Sequence, residues 1–127
     1  MSAFITTVIV FILLDALWLG FIAKKFYIAE YGQKLRLANG SIKPHWPAAL
    51  SVYILLIFGI NFFVLPQAGY HPFNALIEGA LFGLVTYGTY DFTNYAVMTD
   101  WPAKATLVDV CWGMVICGVT AFFGALI

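Results

Sequence analysis

The sequence predicts an all-α polytopic membrane protein, a bundle of four transmembrane helices with both termini outside the cytoplasm. The composition comes first: hydrophobic residues make up 63% of the 127 residues and charged residues 9%, whereas soluble domains carry about 25% charge. Secondly, the apolar residues form four runs, each near the ~20 residues that a spanning helix needs. Thirdly, the basic residues are gathered in two of the three loops. All three observations favour a multi-pass protein.

The four apolar runs define the expected helices of a single transmembrane domain, residues 1–127. They lie at about residues 3–23, 47–65, 74–97 and 105–127. The first run is not expected to be a cleaved signal peptide, because it lacks a basic start and ends in Lys24-Lys25 without a small-residue cleavage site. A chain of this length leaves no room for a separate soluble catalytic module, so any active site must lie in the bundle or its loops.

The distribution of cations predicts the orientation. The first loop holds five of the six basic residues: Lys24, Lys25, Lys34, Arg36 and Lys43. Lys104 lies in the third loop, and residues 66–73 contain no lysine or arginine. The positive-inside rule then places the first and third loops in the cytoplasm.

The first loop, residues 24–46, also has a helical pattern. Ile28, Tyr31, Leu35 and Ala38 recur at helical spacing among charged residues, which predicts a short helix on the inner leaflet that ends at Asn39-Gly40-Ser41. Two roles fit such a segment. It is either a basic tether that only fixes the topology or a surface that binds lipid headgroups.

Three aspartates, Asp15, Asp91 and Asp109, lie inside three different apolar runs that contain no lysine or arginine. A charge at the centre of a membrane helix costs about 2.5 to 3.5 kcal/mol on insertion scales, so such acids must be protonated, hydrogen-bonded or neutralised by a cation. Counted from the cytoplasmic ends at roughly 1.5 Å per residue, their depths are about 12, 9 and 7 Å. We expect one polar layer in which at least one acid is neutral at pH 7, since burial and mutual repulsion disfavour ionisation.

Aromatic and amide side chains accompany the acids. On the third helix, Tyr87 and Asn94 share the face of Asp91, and Tyr90 borders it. Trp18 follows Asp15 at i+3, and Trp112 follows Asp109 at i+3, which predicts an indole one turn from each acid. The candidate proton- or substrate-binding residues are therefore Asp15, Asp91, Asp109, Asn94, Tyr87, Tyr90, Trp18 and Trp112.

Two stripes of small residues predict close helix packing. One is Gly79 and Gly83, and the other includes Gly113, Cys117 and Ala121. Such stripes pack helices either inside a bundle or between the copies of a homo-oligomer. The sequence leaves both arrangements open.

Several kinds of ligand are not expected. His45 and His71 are isolated, and no group of His, Cys and Asp has metal-ligand spacing, so the sequence predicts no metal site. A phosphate-binding glycine loop is missing, and we expect no cofactor. The formal net charge of +0 gives no general basic field for nucleic acid. Membrane lipid is the expected partner.

Three stretches resemble a known family: DALWLG (Asp15 to Gly20), GTYDFTN (Gly88 to Asn94) and DWPAKATLVDVCWG (Asp100 to Gly113). They are similar to the bacterial membrane proteins grouped as domain of unknown function 2177, and the resemblance covers nearly the whole chain. It implies a small four-helix protein of the bacterial inner membrane, with periplasmic termini under the orientation above. The resemblance marks Asp15, Trp18, Tyr90, Asp91, Asn94, Asp109 and Trp112 as family-motif positions and implies no particular activity.

Three function classes follow from these residues. The leading hypothesis is a small proton- or cation-coupled transporter or channel-like protein, in which the acids take the charge and the aromatic rings offer cation-π faces. The second is a membrane-embedded enzyme or accessory factor of lipid modification, although no nucleophile, metal motif or nucleotide loop favours an enzyme. The third is a structural or assembly subunit, in which the polar layer only specifies helix pairing.

Overall fold

The structure is a computed structural model that describes residues 2–127, and it is all-α apart from one short hairpin. The helices are α1 (Ser2–Leu17), α2 (Lys24–Tyr31), α3 (Trp46–Gly59), α4 (Leu65–Gln67), α5 (Pro72–Val97) and α6 (Ala103–Leu126). Two π-helical segments lengthen these helices. Trp18–Ile22 continues α1, and Ile60–Val64 joins α3 to α4. The strands β1 (Leu37–Ala38) and β2 (Ser41–Ile42) pair antiparallel. The prediction of an all-α protein is confirmed.

Three helical stretches are long and apolar enough to cross a membrane: Ser2–Ile22, Trp46–Gln67 and Ala103–Leu126. They coincide with the first, second and fourth predicted helices. The third predicted helix is present as α5, whose 26 residues include Glu78 and Asp91 and are less apolar on average than the other three stretches.

The first loop departs from its predicted form. The prediction of a helix is confirmed for Lys24–Tyr31 and is wrong for the residues that follow. Gly32 ends α2 with a φ of 56°, and Leu37 lies in β1. Asn39 and Gly40 have positive φ values, 53° and 77°, the combination that favours a tight hairpin turn. The turn signal therefore closes a hairpin instead of ending a longer helix.

The closest helix pair is α5 with α6. A methyl group on Gly83 would overlap the backbone of Gly113, and one on Gly79 would overlap the backbone of Cys117 and Gly118. Small residues on both helices let the two backbones approach, as is usual in membrane bundles. Of the two arrangements that the sequence leaves open for these stripes, packing within the chain is the one that the structure contains.

The core lies where α1 and the α3–α4 segment meet α6. Its largest fully buried side chains include Phe11, Ile60, Leu65 and Ile116. Thr7 on α1 contacts Gly124 of α6 closely, so α1 approaches α6 near its own N-terminus. In contrast, α3 packs only lightly on α1 and leaves a groove along that pair.

Candidate functional site: a carboxyl and aromatic cluster

Asp15 is held by two other helices. It lies near the end of α1 and is only 7% exposed. The Tyr53 hydroxyl on α3 donates a hydrogen bond to Oδ2, and the Trp112 indole N–H on α6 donates to Oδ1 at 3.4 Å. Each oxygen of Asp15 therefore has a donor, and the residue joins α1, α3 and α6.

Asp109 receives its donor from outside the apolar runs. The Tyr27 hydroxyl on α2 donates to Oδ1 of Asp109 at 2.8 Å, and the Trp18 indole N–H donates to the Tyr27 oxygen at 2.9 Å. Tyr27 reaches this position because the first helical stretch ends before Ala23, and α2 then packs against α6. Burial, reinforced by the charge of Asp109, raises the pKa of Tyr27 far above its usual value, so its hydroxyl remains a donor at neutral pH.

The two indoles join these sites. Trp18 and Trp112 stack with ring centroids 4.4 Å apart and planes 6° from parallel. The prediction placed each indole beside the acid of its own helix. In the structure, Trp112 donates to Asp15, and Trp18 donates to Tyr27, which in turn donates to Asp109. Spacing of i+3 brings the residues close, whereas the direction of the N–H depends on the neighbouring helix.

Asp91 differs from both other acids. It is 0% exposed, and among residues 2–127 neither carboxyl oxygen receives a hydrogen bond from a donor. The Asp109 carboxyl of α6 is a neighbouring acidic group. Two ionised carboxylates are both acceptors, whereas a protonated one can donate. A single proton between Asp91 and Asp109 would supply the hydrogen bond that Asp91 lacks.

A cleft reaches Asp109. It has a volume of about 390 Å³ and is lined by Val52 and Leu56 of α3, by Tyr87 and Tyr90 of α5, and by Asp109. The Tyr87 ring also packs directly on Gly113. Tyr90 is 58% exposed and contacts the Trp101 ring edge-on. The cleft thus offers two phenol rings beside a partly exposed carboxylate.

Asn94 follows Asp91 by three residues on α5. In the described part of the chain, no hydrogen bond joins its side chain to Asp15, Asp91 or Asp109. Its backbone oxygen accepts the N–H of Met98 at the end of α5. Helical spacing puts Asn94 on the same face of α5 as Asp91, but Asn94 is close to the end of that helix.

Tyr27 and Tyr53 are the donors that sequence analysis missed. Both candidate tyrosines of the prediction lie on the same helix as Asp91, whereas these two belong to other elements. Tyr53 was detectable as the one phenol in the apolar run 47–65. Tyr27 has no comparable signal, because it lies in a polar loop.

The cluster contains no cationic partner among its contacts. Lys24 donates to the Ser41 hydroxyl at 3.1 Å, and the Lys104 ammonium lies 5.7 Å from the centre of the Phe26 ring. Within residues 2–127, no group of three or more His, Cys, Asp or Glu could hold a metal ion. The acids can thus be satisfied by hydrogen bonds, a proton or a cation from outside.

Comparison with known proteins agrees with the resemblance. The family model described as "Predicted membrane protein (DUF2177)" matches residues 1–126. No curated protein and no solved structure matches the chain. The chain is a membrane protein and belongs to the DUF2177 family.

Proposed function

We propose that this protein is a small proton- or cation-coupled transporter of the bacterial inner membrane, with the Asp91–Asp109 pair as its charge-binding site. The observation that carries the proposal is Asp91, a fully buried carboxyl to which no described residue donates a hydrogen bond. An intramembrane acid in this state usually marks a proton or ion path. A structural acid would instead have hydrogen-bond partners, as Asp15 has.

The cleft at Asp109 supports exchange with a ligand. A proton leaving the pair would leave negative charge next to Tyr87 and Tyr90, whose ring faces attract organic cations. The cation and the proton would then compete for the same negative charge. Such competition is the basis of exchange transport.

The proposed topology has four spans. Three helical stretches qualify by length and apolar composition. The fourth, α5, has 26 residues, about 39 Å at 1.5 Å per residue, which exceeds the ~30 Å hydrocarbon core. Its close packing on α6 supports a shared path through the membrane. With the cations of the first and third loops in the cytoplasm, both termini would be periplasmic.

A role in lipid modification is the second candidate, and one observation favours it. Asp15 and Tyr53 border a groove between α1 and α3, where an acid and a phenol would meet a membrane-borne substrate that entered it. Lys24 and Ser41 line the groove, but within residues 2–127 no group of metal-binding side chains accompanies them to define a reaction. This candidate requires Asp15, whereas the transporter requires Asp91.

Proton release on cation binding tests the proposal. Purified protein in weakly buffered detergent is titrated with tetraphenylphosphonium while the pH is recorded. We expect saturable binding with release of about one proton per chain, because the proposal assigns one proton to Asp91 in the ligand-free protein. Asp91→Asn should bind without releasing a proton, or not bind at all.

The matched control is Glu78→Gln, which removes an acid of the same helix that lies outside the cluster and should behave like the wild type. Binding without proton release in the wild type would contradict the proposal, as would unchanged release in Asp91→Asn. If Asp15→Asn alone abolished the response, the lipid-modification candidate would gain support.

A further inference from the structure

We propose that the groove between α1 and α3 binds one anionic phospholipid, with its phosphate at Lys24 and Ser41 and one acyl chain between the two helices. The site is separate from the Asp91–Asp109 pair and does not depend on the proposed transport activity. Its members belong to α1, α2, β2 and α3.

The groove is continuous along the helix pair. Two cavities, of about 480 and 500 Å³, lie along α1 and α3 and share Ile12 and Tyr53. From Phe4 to Ile22, α1 and its extension rise about 27 Å at 1.5 Å per residue, close to the ~30 Å thickness of the hydrocarbon core. The groove is therefore long enough for an acyl chain that enters at the Lys24 end.

The lining changes character along this path. The cavity toward Phe4 is lined almost entirely by apolar side chains, among them Val8, Ile54 and Phe58. The other cavity ends in Lys24 and Ser41, with Trp46 beside them. An apolar groove with a cation and a hydroxyl at one end matches an amphipathic lipid in that orientation. Trp46 is exposed at the start of α3, where an indole anchors a helix at headgroup level.

The charge at this end is free to bind an anion. The Lys24 ammonium makes one described hydrogen bond, to the neutral Ser41 hydroxyl, and has no carboxylate partner in residues 2–127. Both can contact phosphate oxygens, Lys24 as a cation and Ser41 as a hydroxyl donor. Asp15 also borders the groove, but its oxygens are occupied by Tyr53 and Trp112. Complementary charge therefore favours a headgroup of net negative charge.

The neighbouring residues provide matched controls. Lys25 carries the same charge as Lys24 in the same loop but does not line the groove. Similarly, Ala49 lines the groove on α3, whereas Ala48 is exposed and does not. Comparing Lys24 with Lys25 distinguishes binding at the proposed site from a general effect of surface charge. Comparing Ala49 with Ala48 distinguishes it from a general effect of a larger side chain.

Native mass spectrometry of the full chain tests the proposal. The protein is extracted in mild detergent with equimolar phosphatidylglycerol and phosphatidylcholine, and the lipids retained per chain are counted. We expect one retained phosphatidylglycerol in the wild type. Lys24→Gln should lower the preference for phosphatidylglycerol about fivefold, the factor expected for one cation near a lipid surface, and Lys25→Gln should lower it less than twofold.

The acyl part of the site is tested with Ala49→Phe, which should reduce retention of both lipids, whereas Ala48→Phe should not. Circular dichroism of each variant establishes that it is folded. Equal retention of the two lipids by the wild type would overturn the proposal, and so would equal effects of Lys24→Gln and Lys25→Gln. Undiminished lipid retention in a folded Ala49→Phe, or a lipid-free dimer as the main species, would also overturn it.

Discussion

The Trp112 indole donates to Asp15, a residue 97 positions earlier in the chain. The same indole stacks on Trp18, whose own N–H leads through Tyr27 to Asp109. Parallel aromatic stacking of this kind adds about 0.5 to 1.5 kcal/mol beyond burial. The stacked pair therefore joins the hydrogen-bonded surroundings of two acids into one cluster.

Removing this donor should weaken the bundle. Trp112→Phe keeps a ring against Trp18 but deletes the N–H that Asp15 accepts, so we expect a loss of about 1 kcal/mol in unfolding free energy. Reversible unfolding in bicelles measures the change. The exposed Trp46→Phe is the matched control, and an equal loss in both variants would argue against a role for the Asp15 contact.

High pH should destabilise the protein through Tyr27. Its pKa is raised in the folded state, so the folded chain retains a proton that the unfolded chain releases above about pH 10. The contribution of this group is complete below that pH and declines as the pH rises further. Melting temperatures measured from pH 8 to 11 should fall less steeply in Tyr27→Phe than in the wild type. Tyr70→Phe, at an exposed position, should leave the slope unchanged. Identical slopes in all three proteins would refute this assignment.

From the contact between α5 and α6 we predict opposite effects on stability when two glycines of α5 are replaced by alanine. Gly83→Ala inserts a methyl group into the backbone of Gly113 and should cost about 1 to 3 kcal/mol. At Gly88 the nearest atom to an added Cβ is 3.9 Å away, so Gly88→Ala should be neutral or stabilise the helix by up to about 1 kcal/mol. Unfolding in bicelles compares the two, and equal effects would contradict the close helix contact.

The proposed orientation is tested by cysteine accessibility. In a background with Cys111→Ser and Cys117→Ala, a cysteine at Ser2 should react with an impermeant maleimide in spheroplasts. A cysteine at Lys25 should react only after permeabilisation. The reverse pattern would place the basic loop outside the cytoplasm, contrary to the positive-inside rule.

Sequence patterns predict the helices well. In lipid, the backbone N–H and C=O groups of an apolar run must form hydrogen bonds with one another, and a helix allows this within the run itself. The bounds of the helical stretches Trp46–Gln67 and Ala103–Leu126 accordingly lie close to those of their apolar runs. The spacing of Gly79 and Gly83 likewise predicts a close helix contact, but it left open whether the partner helix belongs to the same chain. Local composition is sufficient for such features.

The site was only partly predictable. Asp15, Asp91 and Asp109 stand out individually, since a carboxylate in an apolar run is costly wherever it points. Their partners depend on how different helices meet, and no spacing within one helix indicates that Tyr53 serves Asp15 or that Tyr27 serves Asp109. The difference between Asp15, with two donors, and Asp91, with none, exists only in the assembled bundle.

The central claim is that Asp91, buried without a described donor, is protonated at neutral pH, and infrared spectroscopy of the carboxyl stretch tests it most directly. Protein in detergent without added cations is compared at pH 7 with Asp91→Asn and with Asp15→Asn as the control. We predict a protonated-carboxyl band in the wild type that persists in Asp15→Asn and disappears in Asp91→Asn. A wild-type spectrum at pH 7 with only ionised carboxylates would contradict the claim.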